Sequence, residues 1–217
     1  AAAGMVAAAG AAVWATDISH IDLPGSWNGV SRRYGDIADE DFVRSLAADC
    51  SGPAGRIDAI VHCAGVYSGG ALADCDAGVW ERTLRTNLTS GFLLLKHAQA
   101  ALARSGHASV TLIGSVAGVN GGDSCGPAYA ASKAGLHGLA KWAARRLASD
   151  GIRVNVIAPG PLDTPMSRGL GLAADRVPLG RLGRPDDIAA AVLYLSSPRA
   201  DWITGQVVSP NGGTWIG

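Results

Sequence analysis

The stretch Ser109-Val110-Thr111-Leu112-Ile113-Gly114-Ser115, with Tyr129-Ala130-Ala131-Ser132-Lys133 downstream of it, decides how this chain folds. Ser109 to Ile113 reads as a strand, Gly114 to Pro127 as a loop of small residues, and Tyr129 to Ala148 as a helix ended by Asp150-Gly151. A strand running through a short loop into a helix is half of a crossover between parallel strands.

The same order recurs outward from that stretch. Upstream, Ala1 to Ala9 is a strong helix former ended by Gly10, and Ala11 to Thr16 reads as a buried strand stopping at Asp17. Residues 18 to 30 are loop-like, Val30 to Tyr34 is a short strand, and Asp39 caps a helix running to about Ala48 that Gly52-Pro53-Ala54-Gly55 breaks. Ile57 to His62 is an apolar run entering Cys63-Ala64-Gly65, and a long helix is predicted from about Trp80 to Ala103. Downstream, Arg153 to Ala158 is a strand and Pro159 to Gly183 a proline- and glycine-punctuated excursion. Pro185 to Leu195 is a helix and Gln206 to Ser209 a last strand. Such alternation implies right-handed crossovers and an α/β fold: a doubly wound, mostly parallel sheet with ligands at the carboxyl ends of its strands. No internal repeat or linker divides residues 1–217.

Composition narrows the function. The chain carries 18 Lys+Arg against 18 Asp+Glu and no basic run, so it lacks the electrostatic footprint of a nucleic-acid or anionic-membrane binder. No apolar stretch reaches the ~18 residues of a membrane span, and Ala1 to Ala15 has no cationic leader; the expected location is the cytoplasm. Cys50, Cys63, Cys75 and Cys125 show no paired spacing and read as reduced thiols, and neither they nor His20, His62, His97, His107 and His137 have metal-ligand spacing. Glycine, at 30 of 217 residues, is about twice its usual ~7% without any triplet period, so the excess belongs to turns.

Tyr129 and Lys133 stand four apart at the start of a helix and share a face. A phenol ordinarily titrates near ~10, and an adjacent ammonium is expected to lower it toward the range useful for proton transfer. Ser115, at a predicted strand end, places a hydroxyl where it would hold a substrate carbonyl beside that phenol.

Taken with the rest of the chain, these residues resemble the classical, single-domain branch of the short-chain dehydrogenase/reductase family. The matching segments, in order, are Ala12 to Asp17, Gly35-Asp36-Ile37, His62-Cys63-Ala64-Gly65, Thr86-Asn87-Leu88, Ile113 to Gly118, Tyr129 to Lys133, Asn155 to Pro161 and Ile203-Thr204-Gly205. The resemblance implies a single Rossmann-type domain that exchanges a hydride between a nicotinamide and a secondary alcohol or its ketone. Tyr129 would be the acid/base. Lys133 would lower its pKa and hold the nicotinamide ribose, Ser115 would orient the substrate oxygen, and Asn87 would kink its helix and anchor a water. Asp17 would accept the adenosine ribose hydroxyls, favouring NAD over NADP. Asp36 and Ile37 match adenine-contacting positions, Cys63, Ala64 and Gly65 pass close to the dinucleotide, and Pro159, Gly160, Leu162 and Thr164 lie beside the nicotinamide. Two further readings are an NADPH-dependent 3-oxoacyl-thioester reductase and a non-catalytic dinucleotide-binding protein.

The chain departs from the family in three places. The glycine-rich fingerprint is absent: aligned on Gly10 and Asp17, Ala1 falls just after its last glycine, so the first strand and phosphate loop are missing and a longer protein is expected. His62-Cys63 stands where the family has Asn-Asn, with Cys63 able to pack as a small hydrophobe, and the Met166 to Val177 loop is short. Trp80 and Trp142 lie on the two long helices and Trp202 and Trp215 near the end of the sequence. By analogy they are core residues or anchors of a homotetramer or homodimer.

Overall fold

The computed structural model of the protein describes residues 1–20 and 30–217, so most of the loop expected over 18 to 30 lies outside the described residues. Among the described residues two parallel sheets form. Strands β1 (Val13–Asp17) and β2 (Val30–Tyr34) pair with each other, and β3 (Ala59–His62), β4 (Ala108–Ile113), β5 (Ile152–Ile157) and β6 (Val207–Val208) pair in that order. Among the described residues no strand hydrogen-bonds β1 to β3.

Period-two alternation assigns the faces of the larger sheet. Ala108, Val110 and Leu112 of β4, with Ile152, Val154 and Val156 of β5, pack against Leu95, Ala98 and Leu102 of α4 (Ser90–Ala103) and Leu136, Ala140 and Ala143 of α6 (Pro127–Leu147). Ile113 and Ile157 turn to the opposite face and meet α7 (Pro185–Ser196) through Ile188, Val192 and Leu195. On that face Asn155 also stands in a strand, where its amide donates to the Ile203 carbonyl (2.8 Å) and accepts from the Gln206 amide (3.0 Å), tying β5 to the turn before β6. Helices thus cover both faces.

The smaller sheet is held differently. Helix α1 (Ala2–Ala8) precedes β1, and α2 (Glu40–Ser51), capped by Asp39 onto the Phe42 amide (2.9 Å), follows β2. Ile37, Val43 and Leu46 meet Leu93 of α4, so side-chain packing joins the two sheets. The buried strand expected at β1 is half open: Trp14 is 40% exposed and Thr16 and Asp17 face solvent. A parallel strand is buried only when both neighbours and both covering layers are present, and among the described residues β2 is the one strand that pairs with β1.

The long helix expected from Trp80 starts earlier and is interrupted. It comprises α3 (Ala77–Leu84), capped by Asp76, a π turn over Arg85–Thr89, and then α4. A further short helix, α5 (Ala117–Asn120), lies in the loop after β4, and 3₁₀ turns at Pro165–Ser167 and Ala174–Arg176 occupy the excursion after β5. Among the described residues no helix is long and apolar enough to cross a membrane.

Candidate active site

Parallel pairing brings the carboxyl ends of β3, β4 and β5 to one edge, and the loops that follow are bonded together there. The Gly114 amide donates to the Ile157 carbonyl (2.7 Å), the Val116 amide to Pro159 (3.0 Å) and the Gly126 amide to Ser68 (2.7 Å). Helix α6 starts with Pro127, whose missing N–H costs nothing in a first turn, and so presents Tyr129 and Lys133 one turn apart at this edge.

Lys133 is 5% exposed. Its Nζ donates to the Ile113 carbonyl (2.8 Å) and lies 5.6 Å from the centre of the Tyr129 ring. Burial pushes this ammonium down to about 8, partly opposed by the Cys63 thiol. Tyr129 is half-buried, and burial raises its phenol above the ordinary value while the neighbouring Ser115 hydroxyl works in the opposite direction. The expected lowering by Lys133 is therefore corrected: the ammonium is turned onto the strand-end carbonyl, and desolvation dominates at the phenol. Ser115 also accepts from the Ala117 amide (3.1 Å), which fixes its hydroxyl at the start of the loop.

Asn87, fully buried in the π turn, uses both of its amide protons and one lone pair of its oxygen. Its Nδ2 donates to the Val66 carbonyl and to Ser132 Oγ (both 3.0 Å), and its Oδ1 accepts from the Val66 amide (2.7 Å). The side chain clamps the loop after β3 against α6, so it has no donor left for a water. Gly65 lies in this clamp, where a Cβ would stand 3.3 Å from Asn87 Oδ1 and 3.4 Å from Lys133 Nζ. Ser115, Tyr129, Lys133 and Asn87 are thus brought together.

The residues expected to hold a dinucleotide spread along the same edge. Asp17, exposed at the end of β1, accepts from the Ser19 amide (3.0 Å), and Asp36 accepts from the Ala38 amide (2.8 Å); each carboxylate keeps further acceptor capacity toward solvent. Ile37 is 8% exposed and packed among Val43, Leu46 and Leu93, so its backbone is what it has to offer a ligand. Cys63 follows β3 with part of its surface open, while the protein packed around it pushes its thiol up, and Ala64 follows it half-buried. Pro159 is buried, Gly160 sits against Asn211, and Leu162 packs with α7. The Thr164 hydroxyl donates to Ser167 Oγ (3.3 Å) in a local cap and keeps its lone pairs as acceptors.

Arg33, at the other side of β2, pairs with Asp49 and bonds Ser45 Oγ (3.1 Å), which keeps its charge on α2. The edge fits a dinucleotide at its ribose ends: two carboxylates with spare acceptor capacity at Asp17 and Asp36, a glycine where a side chain would crowd the clamp, and the buried Lys133 ammonium.

Three residues escaped sequence reasoning. Ser132, inside the Tyr129 to Lys133 motif, proves to be an Asn87 partner. Tyr67 packs against Tyr129 with the rings tilted at 53° and their centres 5.2 Å apart, and its hydroxyl donates to the Ser124 carbonyl, closing the loop after β3 onto the loop after β4. Tyr67 also lines a cleft of about 690 Å³ with Asp36, Val66, Arg82 and Thr86. Ser90 begins α4 and contacts His62. Nothing in the local sequence distinguishes these from ordinary loop and helix residues.

Comparison with known proteins agrees with this arrangement. Residues 1–214 match the family described as enoyl-(acyl carrier protein) reductase. The 3-oxoacyl-[acyl-carrier-protein] reductase of Escherichia coli is 38% identical over 188 residues, covering 83% of this chain and 75% of that protein. The cis-4-hydroxycyclohexanecarboxylate dehydrogenase of Sinomonas cyclohexanicum is 35% identical over 184 residues, 82% of this chain and 74% of that one. A crystal structure from Burkholderia xenovorans, assigned to the short-chain dehydrogenases/reductases, superposes with a TM-score of 0.92 at 30% identity, covering 98% of this chain and 88% of that chain. A short-chain type dehydrogenase/reductase from Mycobacterium ulcerans gives 0.81 at 30% identity over 88% and 72%. A match that runs nearly the whole length, on an α/β sheet with its polar residues gathered at the strand ends, makes this chain a member of the classical short-chain dehydrogenase/reductase family of oxidoreductases.

Proposed function

We propose that the protein interconverts a secondary alcohol and a ketone, with NAD(H) as the hydride partner. The observation that carries the reading is the convergence of Ser115, Tyr129 and Lys133 on one strand-end edge, with Asn87 clamping the adjacent loop. The bound dinucleotide supplies or receives the hydride, and the chain's own residues manage the proton and the geometry. Tyr129 donates its phenolic proton to the ketone oxygen during reduction and takes a proton from the alcohol during oxidation. Ser115 donates to the same substrate oxygen and orients it. Lys133, held on the Ile113 carbonyl, places positive charge beside the phenol and toward the nicotinamide ribose. Asp17 accepts the adenosine ribose hydroxyls and disfavours a 2'-phosphate, with Asp36, the Ile37 backbone, Cys63, Ala64, Gly65, Pro159, Gly160, Leu162 and Thr164 along the rest of the dinucleotide.

A second reading, reduction of a 3-oxoacyl thioester, is favoured by the 38% identity to the Escherichia coli enzyme of that name. Exposed Trp80 (38%) and Trp142 (59%) on α3 and α6 support a homotetramer or homodimer over a core role for these rings, and four free cysteines suit the reducing cytoplasm.

Titration with NADH and NADPH by nicotinamide fluorescence, followed by alcohol, ketone and 3-oxoacyl-thioester assays, tests the reading. Tyr129→Phe should keep NADH binding and lose roughly 10²-fold or more in turnover. Undiminished turnover would remove Tyr129 from its role. Asp17→Ala should narrow the NADH/NADPH preference, and an unchanged ratio would show that another group selects the nucleotide.

A further inference from the structure

We propose that His62 is a positioning residue, which through Ser90 holds the π turn in the shape that delivers Asn87 to the loop after β3. The inference rests on the role given to Asn87 in the proposed reaction. It begins from an oddity of side-chain chemistry: His62, the last residue of the strand that leads into the site, is 1% exposed.

The hydrogen-bond bookkeeping has one solution. Ser90 Oγ donates to the Thr86 carbonyl at 2.6 Å, and a hydroxyl has a single proton to give. His62 Nε2 lies 2.6 Å from the same Oγ, so Nε2 must be the protonated nitrogen and must donate to it. His62 Nδ1 is left as a buried acceptor with no partner among the described residues. The ring is neutral in this arrangement, since burial and the nearby Lys133 ammonium both disfavour the cation. Leaving a buried nitrogen unsatisfied costs free energy, and the protein keeps it in order to make the other contact.

That contact falls where helix geometry is broken. A π turn inserts one residue into the i→i−4 ladder, so carbonyls within it change partners. Thr86 and Asn87 are neighbours in the turn, and the Thr86 carbonyl is gripped by Ser90 at the first residue of α4. Asn87, pointing the other way, makes its three bonds to Val66 and Ser132. Gly91 follows Ser90 against the same core, where a Cβ would stand 3.1 Å from Leu136 Cδ2 and in ordinary contact with the His62 ring. His62 therefore couples the last residue of β3 to the turn that clamps the loop following β3.

The test compares His62→Leu, His62→Gln, Ser90→Ala and the Leu/Ala double variant in the full chain. Two readouts are used: kcat and KM for dinucleotide-dependent ketone reduction, and amide exchange at Val66 relative to Val154 in β5. His62→Leu and Ser90→Ala should each lower kcat roughly 10-fold with the dinucleotide KM little changed, as a misplaced but intact site does. The double variant should be no worse than either single one, because both cut the same chain of contacts. His62→Gln, whose amide can donate to Ser90, should recover most of the loss. Val66 should exchange faster in the two single variants while Val154 does not.

If His62→Leu does not fold, Ser90→Ala carries the same prediction with a smaller change. Unchanged Val66 exchange in folded variants would overturn the proposal, as would losses that are additive and accompanied by faster Val154 exchange. Absence of turnover in the unmodified protein would defeat the oxidoreductase reading alone, because the Val66 exchange comparison still decides the role of His62.

Discussion

At the scale of the residue, the site is governed by desolvation. His62 is pushed down to about 4 from 6.5, with burial the larger cause and Lys133, reaching over from α6, the smaller. The unfolded chain therefore binds a proton that the folded chain refuses between those two values, and stability should rise with pH across that window and be flat above it. The size is about 3 kcal/mol at most, the linkage equivalent of the shift. Urea midpoints at pH 5 and pH 7 check it: the protein should be weaker at pH 5, and His62→Gln should remove most of the difference. Tyr129 carries a second pH dependence. Its raised phenol is protonated at neutral pH, so ketone reduction should hold its rate there while alcohol oxidation climbs toward alkaline pH, as rate profiles in the two directions would show.

The identity of these groups was legible in the sequence, because Tyr129 and Lys133 need only a helix between them to share a face. Their charge states were not. Whether the ammonium lowers the phenol depends on where Nζ points, and it points at the carbonyl of Ile113, a residue 20 positions away in sequence.

At the scale of the element, the helix after β2 was read where Asp39 announces it, whereas the one after β3 was started too late, at Trp80, because Asp76 went unread as its cap. Asp39 and Asp76 each accept an amide of the following turn, as short carboxylates at helix starts should. The π turn carries no such mark: Arg85-Thr86-Asn87-Leu88-Thr89 has the composition of an ordinary helical turn, and its shape comes from partners on β3 and α6. Asn87→Ala should accordingly loosen the loop after β3 with little effect on the helices. The check is loss of Val66 amide protection with retained helical circular dichroism.

A close approach elsewhere is as strict. A Cβ on Gly118 would lie 2.7 Å from the Lys133 carbonyl carbon and 2.8 Å from the Ala134 nitrogen, atoms of backbone that cannot swing aside. Gly118→Ala should cost about 1–3 kcal/mol as overpacking does, and should displace the helix that bears Tyr129. A thermal melt and the turnover number together test this.

At the scale of the whole molecule, the alternation of strands and helices predicted the parallel pairing and the covering of the larger sheet on both faces. It misjudged β1, because burial of a strand is set by what lies beside and above it, and period alone does not report that. The two sheets meet through Ile37, Val43, Leu46 and Leu93 at α2 and α4, and through Ala2 of α1 against the Ile188 and Val192 cluster of α7. Leu93→Ala should cost about 2–5 kcal/mol by cavity formation. Amide exchange should show the loss at Trp14 and Ala15 more than at Val154.

The contact between α2 and α4 has an electrostatic meaning. Beside the apolar packing of Ile37, Val43 and Leu46 on Leu93, Glu40 on α2 holds Lys96 and His97 on α4, and Arg85 donates to the Ala38 carbonyl (3.2 Å). Asp17 and Asp36 lie on the α2 side of that contact, Tyr129 and Lys133 on the other. Charges exposed to solvent are screened by salt, so ionic strength is a lever on the distance between the nucleotide-facing carboxylates and the phenol that leaves the apolar core untouched.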